Sequence, residues 1–326
     1  MDNCSDKSAF LAIVGRPNVG KSSTLNKLIG QKLAIVSKKP QTTRTRIMGV
    51  WTDKEYQLVF IDTPGLMKPK NSLGDYMVRA IHQSISGVDA CVLVVEADSK
   101  ISHADIELIE KFKKLNLPAI LVINKIDLLE DKTKLMEQIL KMTELYNFEA
   151  VVPISANDGS GIKELKEELK KICFEGGHIF PADTLTDQPE RVIASEIMRE
   201  KILRVLQKEI PHGVAVVTEK MKDRGNITDI ELTVYCEKSS HKGIIIGKNG
   251  VTLKEISTKA RIDMENFFDC KINLQTWVKV KEDWRQRPQI LHTMGFDKAD
   301  FDWFYFNNNI CKRTTHSRKW VGCFCN

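Results

Sequence analysis

One short segment restricts more than any other what this chain can fold into. The segment GRPNVGKS (15–22) fits the pattern G-x-x-x-x-G-K-[ST] and lies between the apolar run FLAIV (10–14) and the helical stretch SSTLNKLIG (22–30). Glycines let a backbone wrap closely around phosphate, and N–H groups at the start of a helix donate to phosphate oxygens. The pattern therefore predicts a strand, a phosphate-binding loop and a helix in this order, and a merely structural glycine turn is the weaker interpretation.

Two side chains in this loop have predicted roles of their own. Lys21 would neutralise charge on the β- and γ-phosphates of a nucleotide, and the Ser22 hydroxyl would ligate Mg²⁺. The loop and the residue after it form the predicted phosphate-binding set: Gly15, Arg16, Pro17, Asn18, Val19, Gly20, Lys21, Ser22 and Ser23.

Apolar runs alternate with amphipathic stretches of helical length in the first half of the chain. The runs lie at 10–14, 58–61, 91–95, 119–123 and 151–154. This alternation predicts an α/β fold with a mostly parallel sheet and helices on both faces, and such sheets bind ligands at the carboxyl ends of their strands. The longest of these runs have the length of buried strands and are far too short to cross a bilayer.

A second motif, DTPG (62–65), follows the apolar run at 58–61. The Asp62 carboxylate would reach Mg²⁺ through water, and the Gly65 N–H would sense the γ-phosphate. The next residue is Leu66, whose aliphatic side chain cannot orient an attacking water molecule by hydrogen bonding, as the glutamine of Ras-like enzymes does. The predicted nucleotide-contacting set in this segment is Asp62, Thr63, Pro64, Gly65 and Leu66.

Two further motifs, NKID (124–127) and SAN (155–157), stand at the ends of later strands and specify the base. The Asp127 carboxylate would accept from the N1–H and the 2-amino group of guanine, whereas adenine offers neither donor. The residues before Asp127 would brace the loop and cover the ring, and the Ala156 N–H would donate to the guanine O6. Guanine is therefore favoured, with GTP and GDP as the ligands. The predicted base-contacting set is Asn124, Lys125, Asp127, Ser155, Ala156 and Asn157.

These motifs, in this order on successive strands, resemble those of the translation-factor-like GTPases, and over residues 8–296 the chain is similar to the Era family. The resemblance implies a GTPase domain at 8–175, a linker at 176–189 and a KH domain at 190–296. It also implies that the segment KPQTTR (39–44) is switch I, in which a threonine closes over Mg²⁺ and the γ-phosphate. Thr43 is the favoured ligand, and Thr42 is the alternative.

Because Leu66 cannot position water, another residue must assist catalysis. Asn18 is the residue type that related GTPases use to hold K⁺ beside the phosphates, where a cation takes over part of the role of an arginine finger. We therefore expect slow hydrolysis that K⁺ stimulates more than Na⁺; the alternative is that Asn18 only caps the loop. The predicted catalytic set is Asn18, Lys21, Thr43 and Gly65, and the predicted Mg²⁺ ligands are Ser22, Thr43 and Asp62.

The second half of the chain follows the element order of a type II KH domain. An amphipathic helix at 191–208 precedes two β-rich segments at 212–221 and 229–236. Two helical stretches then flank GKNG (247–250), and the apolar strand KINLQTWVKV (271–280) follows. The linker before this domain carries two glycines and two prolines and has no sustained periodicity, which interrupts both helix and strand.

The predicted RNA contact is the loop Gly247-Lys248-Asn249-Gly250 between these two helices. Its missing side chains would let a nucleic-acid backbone approach the helix N-terminus, where N–H groups and Lys248 favour phosphate. Residues 190–296 carry 19 basic and 15 acidic side chains, and this excess of positive charge also favours binding of nucleic acid. The alternative is a degenerate KH fold that binds protein or packs internally.

Two other residues and the end of the chain receive structural interpretations. His212, beside Pro211 and Gly213, is interpreted as a turn residue, and Trp277 as a core residue because it lies among alternating apolar neighbours. The segment 297–326 departs from the family pattern, and its aromatic and basic residues would suit nucleic acid or a membrane surface. We favour a read-through or shifted reading frame here, with a poorly ordered tail whose Cys323 and Cys325 bind nothing.

The resemblance implies a GTP-dependent factor that uses Mg²⁺ and K⁺, binds the 3′ end of small-subunit (16S) ribosomal RNA and assists assembly of the 30S subunit, as a monomer. The scattered cysteines and the lack of a signal-peptide pattern favour the cytoplasm, and peripheral association with the inner face of the plasma membrane is a further expectation. The alternative is a nucleotide-gated switch that attaches to a protein partner or a membrane surface. A tandem GTPase is disfavoured because no second P-loop pattern is found.

Overall fold

The computed structural model describes residues 6–37, 39, 41–207 and 210–296 of the 326-residue chain. The predictions for segment 297–326 lie outside these residues. The elements of the first domain are β1 (Lys7–Val14), α1 (Lys21–Ile29), β2 (Ile47–Asp53), β3 (Tyr56–Asp62), α2 (Ser72–Ser86), β4 (Ala90–Glu96), α3 (His103–Leu115), β5 (Ala119–Asn124), α4 (Lys132–Leu145), β6 (Ala150–Pro153), α5 (Ile162–Lys170) and β7 (Phe174–Glu175).

The first sheet has the strand order β2-β3-β1-β4-β5-β6, and β7 pairs with the start of β1. Five of these strands run parallel, which confirms the predicted fold class, while β2 and β7 are antiparallel to their neighbours. Alternate residues of the buried strands face opposite sides of the sheet. One side packs on α1 and α5, and the other packs on α2, α3 and α4, so the core consists of two layers.

Sequence periodicity missed β2 and β7. The strand β2 has the sequence IMGVWTD, in which only the first four residues are buried, and β7 has two exposed residues. Neither produces the sustained apolar run on which the prediction of the other strands rested.

The segment between β7 and the second domain lies along the first sheet. The Gln57 side-chain oxygen accepts hydrogen bonds from the Ile179 and Phe180 N–H groups at 2.7 and 2.8 Å. The Val50 N–H donates to the Leu185 carbonyl at 2.9 Å, so this part of the predicted linker adds backbone contacts to the edge strand β2. Its glycines and prolines interrupt regular structure, but its apolar residues Ile179 and Phe180 still pack against β2 and β3.

The second domain contains α6 (Glu190–Val205), β8 (Val214–Asp223), β9 (Thr228–Cys236), α7 (Ser239–Ile246), α8 (Val251–Phe268), β10 (Ile272–Val280) and α9 (Pro288–Thr293). Its sheet has the order β10-β9-β8, in which β10 is parallel and β8 antiparallel to β9. The helices α6, α7 and α8 cover one face of this sheet and form its core. This order confirms the α-β-β-α-α-β arrangement predicted from the sequence.

The interpretation of Trp277 as a core residue is wrong, because its side chain is 43% exposed. Ile272 and Val278 are buried on β10 and share the face that the helices cover, whereas Trp277 points to the opposite face because successive side chains alternate. A bulky aromatic in an alternating apolar pattern indicates a strand, but the pattern alone did not identify which face of the strand is covered.

One contact between the two domains uses the face of the second sheet that its own helices leave open. Leu73, Tyr76 and Met77 of α2 pack in one cluster with Ala215 of β8 and with Trp284. The Ser72 hydroxyl donates to the Gln286 carbonyl at 3.0 Å. The helix that follows the DTPG segment therefore rests on the second domain.

Candidate nucleotide-binding site and glycine loop of the second domain

The phosphate-binding loop lies between β1 and α1, as its motif predicted. Gly15 and Gly20 have φ angles of +147° and +103°, a region that residues with a Cβ rarely adopt. A Cβ on Gly15 would lie 2.3 Å from the Val94 carbonyl oxygen, and one on Gly20 would lie 2.0 Å from the Asn124 amide nitrogen. Both glycines are therefore needed to pass the backbone between the strand and the helix.

Lys21 begins α1 and is only 6% exposed. Its ammonium group donates to the Arg16 carbonyl at 2.9 Å, which folds the side chain back over the loop. Burial lowers the pKa of Lys21 to about 8, and the nearby Asp62 carboxylate acts in the opposite direction. A buried cation of this kind gains most from an anionic ligand placed inside the loop.

The three predicted Mg²⁺ ligands meet at one point. The Ser22 hydroxyl donates to Asp62 Oδ2 at 2.6 Å and lies 2.9 Å from the Thr43 hydroxyl. The other carboxylate oxygen of Asp62 is buried and has no hydrogen-bond partner among the residues that the structure describes. Burial raises the pKa of Asp62 to about 6, against the opposing effects of Lys21 and the two hydroxyls. Two hydroxyls and a buried carboxylate with an orphaned oxygen fit a small divalent cation that prefers oxygen ligands.

The two threonines that the sequence left as alternatives face different ways. Thr43 is 6% exposed and its hydroxyl lies 3.4 Å from Asp62 Oδ2. The Thr42 hydroxyl instead donates to the Lys39 carbonyl at 2.6 Å. The geometry therefore favours Thr43 as the ligand.

The DTPG segment is in contact with the phosphate-binding loop. The Thr63 hydroxyl donates to the Ile13 carbonyl at 2.8 Å, and a Cβ on Gly65 would lie 2.5 Å from the Pro17 nitrogen. The Leu66 N–H donates to the Gly15 carbonyl at 3.1 Å, and the Leu66 side chain is buried among residues of α2, β4 and β5. Leu66 thus has a packing role in the core of the first domain.

Asn18 is exposed at the turn of the loop and has a φ of +67°. Asparagine tolerates this left-handed conformation better than most residues with a side chain. The position is compatible both with a side chain that faces a phosphate-bound cation and with the capping alternative.

The base motifs are held to the phosphate-binding loop by Asn124. Its amide donates to the Val19 carbonyl at 2.8 Å, and its side-chain oxygen accepts from the Ala156 N–H at 2.9 Å. The Ala156 N–H, the predicted donor to guanine O6, here donates to Asn124, and its role towards the base stays a prediction. The pattern could not show this, because Asn124 and Ala156 are separated by 32 residues.

The remaining base-motif residues lie at the same edge of the sheet. The exposed Asp127 carboxylate accepts from the Asn157 amide at 3.5 Å, and Lys125 forms an ion pair with Glu96 at 3.0 Å. The buried Ser155 hydroxyl accepts from the Asp158 N–H at 3.3 Å. The Asp127 carboxylate is thus open to solvent at the place where a guanine edge would bind.

One contact of the phosphate-binding loop was not predicted from the sequence. Arg16 forms an ion pair with Asp105 at 3.1 Å and donates to the Ser99 hydroxyl at 2.7 Å. Asp105 also belongs to a capping box with Ser102 at the start of α3. The pattern S-x-x-D signals a helix start, but nothing local shows that the same carboxylate fixes a loop 89 residues earlier.

The glycine loop of the second domain joins α7 to α8 and has an open geometry. Gly247 and Gly250 have φ angles of +76° and +78°, and Gly250 caps the start of α8. Lys248 and Asn249 are exposed, as are the apolar side chains of Ile244 and Val251 on either side. The loop therefore presents a cation and apolar surface together at the start of a helix.

Family models match both parts of the chain. Residues 10–125 match the model described as 50S ribosome-binding GTPase, and residues 209–285 match the KH domain.

Curated relatives match most of the chain. It is 48% identical over 293 residues to GTPase Era of Ruminiclostridium cellulolyticum, covering 90% of this chain and 98% of that protein. It is 49% identical over 294 residues to GTPase Era of Clostridioides difficile, covering 89% and 99%.

Two solved structures are similar over the same length. One is a variant of Aquifex aeolicus Era bound to GDP·AlF₄⁻, with a TM-score of 0.86 and 38% identity. The other is Era in complex with MgGDPNP and nucleotides 1506–1542 of 16S ribosomal RNA, with a TM-score of 0.85 and 38% identity. Each comparison covers 89% of this chain and 99% of the other.

Proposed function

This chain belongs to the Era family of GTPases and is a GTP hydrolase, and from this premise we propose that its KH domain binds small-subunit (16S) ribosomal RNA to assist assembly of the 30S subunit. The observation that carries the proposal is the exposed Gly247–Gly250 loop at the start of α8. A similar protein of this family has been solved with a 16S ribosomal RNA segment, over a match that includes the KH domain.

The loop has the chemistry that a single-stranded RNA backbone requires. The Lys248 ammonium and the positive end of the α8 dipole attract phosphate, and no bulky side chain of the loop blocks its approach. The exposed Ile244 and Val251, 50% and 66% accessible, offer apolar contact to bases beside it. RNA is favoured over a protein partner because the charged loop and the apolar surface are adjacent.

The nucleotide site would act mainly by positioning and charge stabilisation. Lys21 and the loop N–H groups would hold the β- and γ-phosphates, Gly65 would sense the γ-phosphate, and Asp127 would select guanine. Ser22, Thr43 and Asp62 would hold Mg²⁺, which when bound neutralises charge on the phosphate oxygens. Asn18 would hold K⁺ beside them, because Leu66 cannot orient water.

The cellular setting of the proposal follows from the family. We propose a monomer that acts in the cytoplasm and associates peripherally with the inner face of the plasma membrane. Within the residues that the structure describes, no helix has the length and apolar character to cross a membrane.

The test is binding of a labelled oligonucleotide from the 3′ end of small-subunit ribosomal RNA to the full chain, loaded with a non-hydrolysable GTP analogue or with GDP. The double variant Lys248→Asp/Asn249→Asp should lose binding by roughly a hundredfold, because two carboxylates would repel phosphate. The matched control is Lys222→Asp/Asn226→Asp, which makes the same charge change at the exposed end of β8 and in the turn that follows it.

Binding by the wild type should weaken steeply with salt and should be tighter in the GTP-analogue state. Equal loss in the loop variant and the control would show that only net charge matters. Absence of binding in both nucleotide states would reject RNA as the ligand and favour the alternative of a nucleotide-gated switch on a protein or membrane partner.

A further inference from the structure

Arg44, the residue after Thr43, places a buried charge between the two domains. Its side chain is 2% exposed, although it lies at the end of switch I rather than in a core element. Its guanidinium donates to the carbonyls of Val214 at 2.6 Å and His212 at 2.9 Å, both in the KH domain. The same group lies 5.7 Å from the centre of the Trp284 ring, within reach of a cation–π interaction.

The KH domain also contacts switch I from its own side. Arg199 of α6 donates to the Thr42 carbonyl, and Glu196 orients Arg199 through hydrogen bonds at 2.6 and 2.8 Å. The KH domain thus holds both neighbours of Thr43: it binds the carbonyl of Thr42 and the side chain of Arg44. Its hydroxyl faces Ser22 and Asp62 from this fixed segment.

The burial of Arg44 is costly unless its partners are in place. Burial is the largest cause that lowers its pKa, and the nearby Arg199 acts in the same direction. Glu196 and Glu237 act in the opposite direction, yet among the described salt bridges none includes Arg44. A guanidinium of this kind is stable only where fixed acceptors replace its water, so its position depends on the docked KH domain.

The acceptors are themselves held by Trp284. Its indole N–H donates to the Gly213 carbonyl at 3.0 Å, between the two carbonyls that Arg44 uses, and its ring is fully buried. Helix α2 packs in the same cluster. The segment 212–214 is therefore held in place by contacts from both domains.

We propose that Arg44 is a positioning residue that fixes Thr43 for the Mg²⁺·GTP state by anchoring switch I in the KH domain. The inference rests on the proposed role of Thr43 as a Mg²⁺ ligand. GDP has no γ-phosphate for switch I to cover, so the anchor should support binding of a GTP analogue and contribute nothing to binding of GDP. By linkage, any ligand that moves the segment 212–214 would change the preference for GTP.

The experiment measures the affinities of the full chain for a non-hydrolysable GTP analogue and for GDP, each with Mg²⁺. Arg44→Met should weaken the GTP analogue by about tenfold and leave GDP unchanged. Arg44→Lys keeps the charge but lacks the fork that reaches two carbonyls, so its effect should fall between wild type and Arg44→Met. Arg46→Met is the matched control, because Arg46 lies on the same segment beside Asp187 of the linker.

Two further variants make the test decisive. Thr43→Ala should weaken the GTP analogue at least as much, and Arg44→Met should add nothing in that background because both act on one contact. Arg199→Met approaches the same segment from the KH domain and should give the same selective loss, which covers the case that Arg44→Met fails to fold.

The outcomes separate the two ideas. If Thr43→Ala binds the GTP analogue like the wild type, the proposed Mg²⁺ ligand is wrong. If Thr43→Ala is impaired while Arg44→Met and Arg199→Met are not, the ligand stands and the anchor is wrong. Equal losses for both nucleotides, or the same loss in Arg46→Met, would also overturn the anchor.

Discussion

The two glycine loops at helix starts, 15–22 and 247–250, are the proposed binding sites for nucleotide and for RNA, and they differ in what surrounds them. In the nucleotide site, Lys21 is 6% exposed, and a Cβ on Gly20 would lie 2.0 Å from Asn124. In the KH domain, Lys248 is exposed, and a Cβ on Gly250 would meet no atom of the described residues within 4 Å. One loop encloses its ligand and the other presents a surface. Similar loops therefore give two kinds of site. Binding at the nucleotide site depends on a few buried groups, and binding at the KH loop depends on the summed field of many exposed charges.

The largest expected effect comes from removing Lys21, and removing the corresponding lysine of the other loop, Lys248, should have a much smaller effect. Lys21→Met should weaken binding of GTP and GDP by roughly two to three orders of magnitude, because a buried charge on phosphate has no substitute. Lys248→Met should weaken RNA binding by only about tenfold or less, since neighbouring charges and N–H groups remain. Nucleotide titrations and RNA titrations at one salt concentration measure the two losses, and similar losses would break the comparison.

A smaller effect would show whether the enclosed site also uses a monovalent cation. The wild type should hydrolyse GTP roughly tenfold faster in K⁺ than in Na⁺ at equal ionic strength, and Asn18→Ala should remove the difference. The reason is that the side-chain oxygen of Asn18 would hold K⁺ beside the phosphates. Single-turnover rates in the two salts measure it, and equal wild-type rates would leave Asn18 as a loop cap.

The smallest expected effect concerns the stability of the enclosed site without its ligands. The pKa of Asp62 is raised to about 6 in the folded chain from an ordinary value of 3.8, so the folded state holds the proton more tightly than the unfolded state. Stability is therefore lost as the pH rises from about 4 through about 6, and the buried carboxylate costs about 3 kcal/mol at most above that range.

Asp62→Asn has no such titration, so its advantage in stability over the wild type should grow by about 1 kcal/mol between about pH 5 and about pH 7. Urea unfolding of the nucleotide-free proteins in chelator measures this gap. A gap that stays constant with pH would mean that Asp62 is ionised throughout and that the site is wetter than its burial indicates.

The two loops also show how far a sequence can be interpreted. Both were found by pattern, because glycine positions and the helix that follows are local properties of the chain. The choice between Thr42 and Thr43 as the Mg²⁺ ligand could not be made from local sequence. It depends on Ser22 and Asp62, which reach the same point from other strands and helices. The role of the Ala156 N–H and the ion pair of Arg16 likewise depended on partners distant in sequence.

The sequence by itself determined the order of the strands and helices that show sustained periodicity, the guanine-nucleotide motifs and the presence of a KH domain, because periodicity and short motifs encode local backbone geometry. The tertiary structure decided which side chains face one another: the covered face of β10, the strand β2 on the edge of the sheet, and the burial of Arg44 against the carbonyls of Val214 and His212. The physical reason is that burial and partner choice are set by contacts between segments far apart in the chain, and no local pattern specifies them.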